Sequence, residues 1–80
     1  MMSTESVIAE VVKERRRQDA KWGGPEHDDK HSPCDWHEMI CDYNGWARRM
    51  IAMNSPDEAR QRLIQVAALA VAAVERIDRL

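Results

Sequence analysis

The chain has 80 residues, with 12 Lys or Arg against 14 Asp or Glu and a formal net charge of −2. This length accommodates one domain, 1–80, with a small hydrophobic core. The near balance of charge argues against a protein that binds nucleic acid through bulk positive charge. A hydrophobic content of 44% is too high for a disordered chain.

The two cysteines, Cys34 and Cys41, do not make a disulfide framework. On one helix their separation of seven residues corresponds to about 10 Å, which is too far for a bridge. We therefore expect reduced thiols and a cytoplasmic location. We expect neither a targeting signal nor a membrane segment, because the apolar stretch 66–74 is far shorter than the roughly 20 residues of a bilayer span.

Hydrophobic periodicity predicts an all-α protein with helices at about 5–22, 33–53 and 56–80. The first helix starts after Ser3 or Thr4 and ends at Gly23, which suits a left-handed cap. A loop, 23–32, follows.

The second helix starts with Ser32 as its cap and Pro33 in its first turn. For the third helix, Ser55 and Glu58 predict a capping box.

The middle of the third helix, 63–74, is apolar nearly all round. Such a helix is typical of the centre of a core larger than two amphipathic partners can build. We therefore expect self-association, as a homodimer or other helical-bundle oligomer, through helix 56–80. The alternative is a monomer with an exposed alanine face.

Three carboxylates, Asp35, Glu38 and Asp42, lie on one side of the second helix and could hold Mg²⁺. A solvated face is the simpler interpretation of this stripe. Opposite it, the third helix supplies Arg62 and Gln65 instead of carboxylates.

A second series of residues could hold zinc: His27, His31, Cys34, His37 and Cys41. Its spacing matches no recognised zinc motif. Polar loop side chains and half-buried cysteines are the simpler interpretation.

Arginines and aromatic residues could bind a nucleotide. Arg15, Arg16 and Arg48 offer phosphate ligands, although Glu10 and Asp19 favour pairing within the first helix. The aromatic residues that could stack a base are Trp22, Trp36, Tyr43 and Trp46. Three of them share the apolar face of the second helix, which favours core packing.

The stretch 14–23 (ERRRQDAKWG) carries a resemblance, together with His27-Asp28-Asp29, Asp35-Trp36 and the alanine-rich 63–75. Over about residues 8–79 the chain resembles small MazG-like proteins of phages and prophages. The resemblance implies an all-α fold, a dimer or tetramer, and Mg²⁺-dependent nucleoside triphosphate pyrophosphohydrolysis. In that family an EExxE motif and an ExxD motif on successive helices hold the metal.

The chain departs from this pattern at the metal site. Its second helix reads Asp42-Tyr43-Asn44-Gly45-Trp46, and the third helix has Arg62 and Gln65 where acids are expected. One carboxylate of the expected five remains. The resemblance therefore implies the scaffold without its catalytic centre.

These observations predict a non-catalytic, phage-type binding protein without a cofactor. It would bind a nucleotide or a host protein, in the latter case as an inhibitor of a defence system such as a CRISPR complex. The candidate binding residues are Arg15, Arg16, Trp22, His27, Asp28, Tyr43, Trp46, Arg48 and Arg62.

Two alternatives stay open. One is a divergent Mg²⁺-dependent pyrophosphohydrolase using Glu38 and Asp42, with Asp35 or with Asp28 and Asp29 of a neighbouring subunit. The other is a zinc-stabilised fold.

Overall fold

The computed structural model describes residues 3–80, and every regular element in that range is an α-helix. The helices are α1 (Thr4–Trp22), α2 (Pro25–Asp28), α3 (Pro33–Ala52) and α4 (Pro56–Asp78). The all-α prediction is confirmed, and the long helices end within two residues of the predicted bounds. The prediction of three helices is incomplete, because α2 forms inside the stretch predicted as a loop. Among residues 3–80, no helix is long and apolar enough to cross a membrane.

Glycines set the join between α1 and α2. Gly23 ends α1 with φ of 106°, and its N–H donates to the carbonyl of Asp19 at 2.8 Å, as the predicted left-handed cap requires. Gly24 has φ of 69° and ψ of −151°, a region that is open essentially to glycine alone. These two conformations end α1, and Pro25 then begins α2 instead of only ending α1.

The capping box lies at the start of α3 and not at the start of α4. The Ser32 hydroxyl accepts from the N–H of Asp35 at 3.2 Å, and the Asp35 carboxylate accepts from the N–H of Ser32 at 2.9 Å. The prediction of Ser32 as cap with Pro33 in the first turn is confirmed.

The capping box predicted for Ser55 and Glu58 is wrong. The Ser55 side chain makes no capping hydrogen bond. Its N–H donates to the carbonyl of Met50 at 2.9 Å, so no free N–H is left for Glu58 to accept. The residue before it, Asn54, has φ of 55°, which closes α3 tightly against the start of α4.

Helix α4 lies between α1 and α3 and also contacts α2. Leu69 and Ala72 of α4 are fully buried against Trp36 of α3. The half-buried residues around this core are Trp22, Met39, Ile40, Tyr43 and Ala73. Burying a side chain such as Leu69 contributes about 2–3 kcal/mol.

One side of α4 has no partner within the described chain. Leu63, Val74 and Ile77 are 46%, 57% and 51% exposed. The helix that the sequence predicts to be central is thus covered on the sides facing α1 and α3 and bare on a third.

The two serines that precede α3 and α4 should respond differently to substitution by alanine. Ser32→Ala removes the hydrogen bond from the N–H of Asp35 to the Ser32 hydroxyl. It should therefore lower the free energy of unfolding by about 1 kcal/mol. Ser55→Ala removes no capping bond and should change it little. Urea unfolding at one protein concentration measures both, and equal losses would contradict the assignment of the caps.

Candidate functional site

Arg15 of α1 is the centre of a cluster of acidic side chains. Its guanidinium lies 3.0 Å from Asp19, 3.5 Å from Asp28 and 3.1 Å from Glu75. Its side chain is 13% exposed, and that of Asp28 is 4% exposed. The cluster ties α1, α2 and α4 together around one nearly buried cation.

The segment after α2 is held to α4 by two more arginines. Arg76 donates from Nε to the carbonyl of His31 at 3.1 Å. Arg79 donates from Nε to the Asp29 carboxylate at 2.7 Å. The connection between α1 and α3 is therefore fixed to the C-terminal half of α4.

Four rings line this connection in a continuous row. The ring centroids of Trp22 and His27 are 6.1 Å apart, those of His27 and His31 are 5.0 Å apart, and those of His31 and Trp36 are 5.9 Å apart. His27 Nδ1 also lies 3.3 Å from the Asp28 carboxylate. The row packs the connection onto the core.

Four predicted binding residues, Arg15, Trp22, His27 and Asp28, thus meet in one cluster, but they bind one another. Three carboxylates surround Arg15, so a phosphate placed there would meet more negative charge than positive. The arrangement is suited to fixing α2 and not to binding a nucleotide.

Gln18, which is not among the predicted binding residues, is 1% exposed. Its Nε2 donates to Glu14 at 3.2 Å. Its Oε1 and the Nε1 of buried Trp36 have no partner among the described residues. Helical periodicity continues the buried face of the first helix through Gln18 or Asp19, and the structure buries Gln18.

Ion pairs within α1 bear out the prediction from its alternating charges. Arg17 donates to both oxygens of Glu14 at 2.8 and 2.7 Å, and Arg15 pairs with Asp19. Glu10 is different, because it pairs with Arg60 of α4.

Hydrogen bonds between near neighbours lower the pKa of one carboxylate in α1 and of one in α3. The hydrogen bonds from Arg17 lower the pKa of Glu14, and the backbone N–H of Ser32 lowers the pKa of Asp35. Both carboxylates stabilise the fold above their ordinary pKa, and this stabilisation is lost as the pH falls through the lowered pKa. The contribution of Asp35 is small because its side chain is 51% exposed.

A second cluster joins Tyr43 and Trp46 of α3 to Arg62 of α4. The Tyr43 and Trp46 ring centroids are 4.9 Å apart. The Arg62 guanidinium lies over the Trp46 ring at 5.0 Å and also donates to Gln65 at 3.1 Å. Its second partner is therefore an amide, and the contact lies on the side where α3 meets α4.

This second cluster occupies the positions at which the MazG-like pattern has metal-binding acids. An indole, a guanidinium and an amide do not form an oxygen-rich site for Mg²⁺. Glu38 and Asp42 are exposed on α3. Within residues 3–80, no three His, Cys, Asp or Glu side chains are arranged to hold a metal ion. The donor set does not fit the ion that the resemblance implies.

The predicted histidine and cysteine series is divided between two places. His27 and His31 belong to the row of rings, whereas Cys41 lies 3.8 Å from Nε2 of His37 on the exposed side of α3. Cys34 and Cys41 are both free and exposed.

The predicted arginine ligands are likewise dispersed. Arg16 lines a groove of about 320 Å³ between α1 and α4, whose apolar lining includes Ile8, Val12 and Val71. Arg48 is exposed on α3. The nine predicted binding residues therefore do not converge on one pocket.

No family model, curated protein or solved structure matches this chain.

Removing Arg15 should be costly because it leaves the buried Asp28 carboxylate without its cation. We expect Arg15→Met to lower the free energy of unfolding by about 3 kcal/mol, with partial recovery in Arg15→Met/Asp28→Asn. Arg60→Met, which breaks the exposed pair with Glu10, is the matched control and should change it little. Urea unfolding that finds the two single variants equal would contradict a structural role for Arg15.

Proposed function

We propose that this chain is a non-catalytic, phage-type binding protein on a MazG-like scaffold, acting in the host cytoplasm through protein contacts. The observation that carries the proposal is Arg62 stacked over Trp46 at 5.0 Å. A cation there disfavours a divalent metal and the polyphosphate chemistry that the metal would serve. The scaffold is then left with binding as its function.

A protein fits the exposed surfaces better than a nucleotide does. One face of Trp46 is covered by Arg62, and Tyr43 packs against the same ring. Arg15, the most buried of the predicted phosphate ligands, is already paired with carboxylates. Exposed apolar side chains on α4 are instead typical of a surface that another protein covers.

The first partner that this surface fits is a second copy of the chain. On α4, Leu63 and Ile77 lie seven residues before and after the small, exposed Ala70. Two copies of α4 packed antiparallel about a two-fold axis at Ala70 would place each Leu63 against the partner subunit's Ile77. A chain of this size has little core of its own, so this burial would add substantially to it.

A host protein is the second partner class in this proposal. Inhibition of a defence complex would use surface that the α4 contact leaves free, including Ile51 and Met53 at the end of α3, which are 61% and 65% exposed. Their exposure beside a tight turn suits a contact with another protein.

Pyrophosphate release tests the absence of catalysis. With nucleoside triphosphates and Mg²⁺ or Mn²⁺, the protein should show no turnover above a protein-free blank. Turnover that Asp42→Asn abolishes would contradict the proposal and establish the divergent pyrophosphohydrolase. Equilibrium dialysis with the same nucleotides should find no saturable binding, and saturable binding lost in Arg62→Gln would make the ligand a nucleotide.

Charge on the bare face of α4 tests the contact between copies. Val74→Asp should lower the mass measured by light scattering at tens of micromolar, because a buried carboxylate is strongly disfavoured. Ile51→Asp is the matched control, since Ile51 is equally exposed but lies on α3. A monomeric wild-type protein at that concentration would contradict the contact.

A further inference from the structure

The outward side of α3 carries a glycine that the chain itself does not require. Gly45 lies in the second half of α3, and a Cβ atom added there would meet no other atom within 4 Å. The positive φ values among the described glycines are those of Gly23 and Gly24. Glycine destabilises an exposed helix interior relative to alanine, and nothing in the described chain comes close enough to Gly45 to require it.

Gly45 lies in a shallow cleft beside an exposed tryptophan, as is typical of the centre of an interface between two proteins. A shallow cleft of about 370 Å³ is lined by Cys41, Asp42, Gly45, Trp46 and Arg49. Trp46 is 41% exposed at this cleft. Tryptophan is among the residues that contribute most to the binding energy of contacts between proteins.

Two opposite charges flank Gly45 on the same side of the helix. Asp42 precedes Gly45 by three residues and Arg49 follows it by four. These two charges are two turns apart, about 10 Å, so they do not pair with each other. None of the ion pairs among residues 3–80 includes either of them.

We propose that the outward face of α3 binds the same face of a second copy, antiparallel about a two-fold axis between Gly45 and Trp46. Such an axis places residues opposite each other when they lie at equal distances before and after the midpoint between Gly45 and Trp46. Asp42 then meets the partner subunit's Arg49, and the reverse pair forms by symmetry. Trp46 packs over the partner subunit's Gly45, where no side chain is in the way.

This contact is independent of the one proposed for α4, because it uses another helix and a polar surface. The two contacts can form together, and the assembly then exceeds a dimer. It also gives Asp42 a role in recognition between copies, at the position where the MazG-like pattern has a metal ligand.

A charge swap tests the α3 contact. Asp42→Arg and Arg49→Asp should each raise the dissociation constant of this contact at least tenfold, whereas Asp42→Arg/Arg49→Asp should restore assembly because the opposite pair re-forms. Arg48→Asp is the control, since it changes the net charge equally on the other side of Gly45. Sedimentation equilibrium at low and moderate salt measures all four, and the effect should shrink as salt rises.

Gly45→Leu gives a second readout that does not depend on charge. The bulky side chain should abolish the α3 contact while far-ultraviolet circular dichroism and thermal unfolding show an intact helix. Assembly of Gly45→Leu like the wild type, or a swapped double variant that stays dissociated, would overturn the proposal.

The variants Arg49→Asp and Val74→Asp distinguish the absence of the α3 contact from the absence of the α4 contact. If the α4 contact alone is absent, the wild type is a dimer that Arg49→Asp converts to monomer and Val74→Asp leaves intact. If the α3 contact alone is absent, Val74→Asp gives the monomer and Arg49→Asp has no effect, which overturns the present inference only.

Discussion

The rest of the structure depends on one constraint: α4 is apolar on more sides than the chain can cover. Helices α1 and α3 pack on two sides of it and bury Leu69 and Ala72. The third side keeps Leu63, Val74 and Ile77 in contact with water. Exposed apolar surface of this kind costs about 25 cal/mol per Å² relative to burial. The proposed contact with a second copy of α4 would remove that cost without any change in the fold.

The charged residues that most strongly suggest chemistry in the sequence serve architecture in the structure. Arg15 lies among Asp19, Asp28 and Glu75, and this cluster holds the short helix α2 against the two long helices beside it. A run of closely spaced charges can therefore fix the connection between two helices. The proposed binding function therefore rests on the faces of α3 and α4, away from this cluster.

The sequence predicts what local signals control. Ser32, Pro33 and Gly23 mark helix ends through bonds to near neighbours, and the structure places those ends accordingly. The sequence does not predict α2, because composition does not reveal the conformation that Gly24 adopts. It also does not predict that the Ser55 side chain makes no cap, because the Ser55 N–H donates to the carbonyl of Met50. Contacts such as Arg15 with Glu75 depend on how α1 crosses α4, which no spacing encodes.

The most direct test of the central claim is the dependence of the thermal unfolding midpoint on protein concentration. If burial of the bare face of α4 requires a second copy, folding and association are coupled, and the midpoint rises with concentration by mass action. A midpoint that stays constant from low to high micromolar protein would show that α4 is stable with this face in water, and would contradict the account.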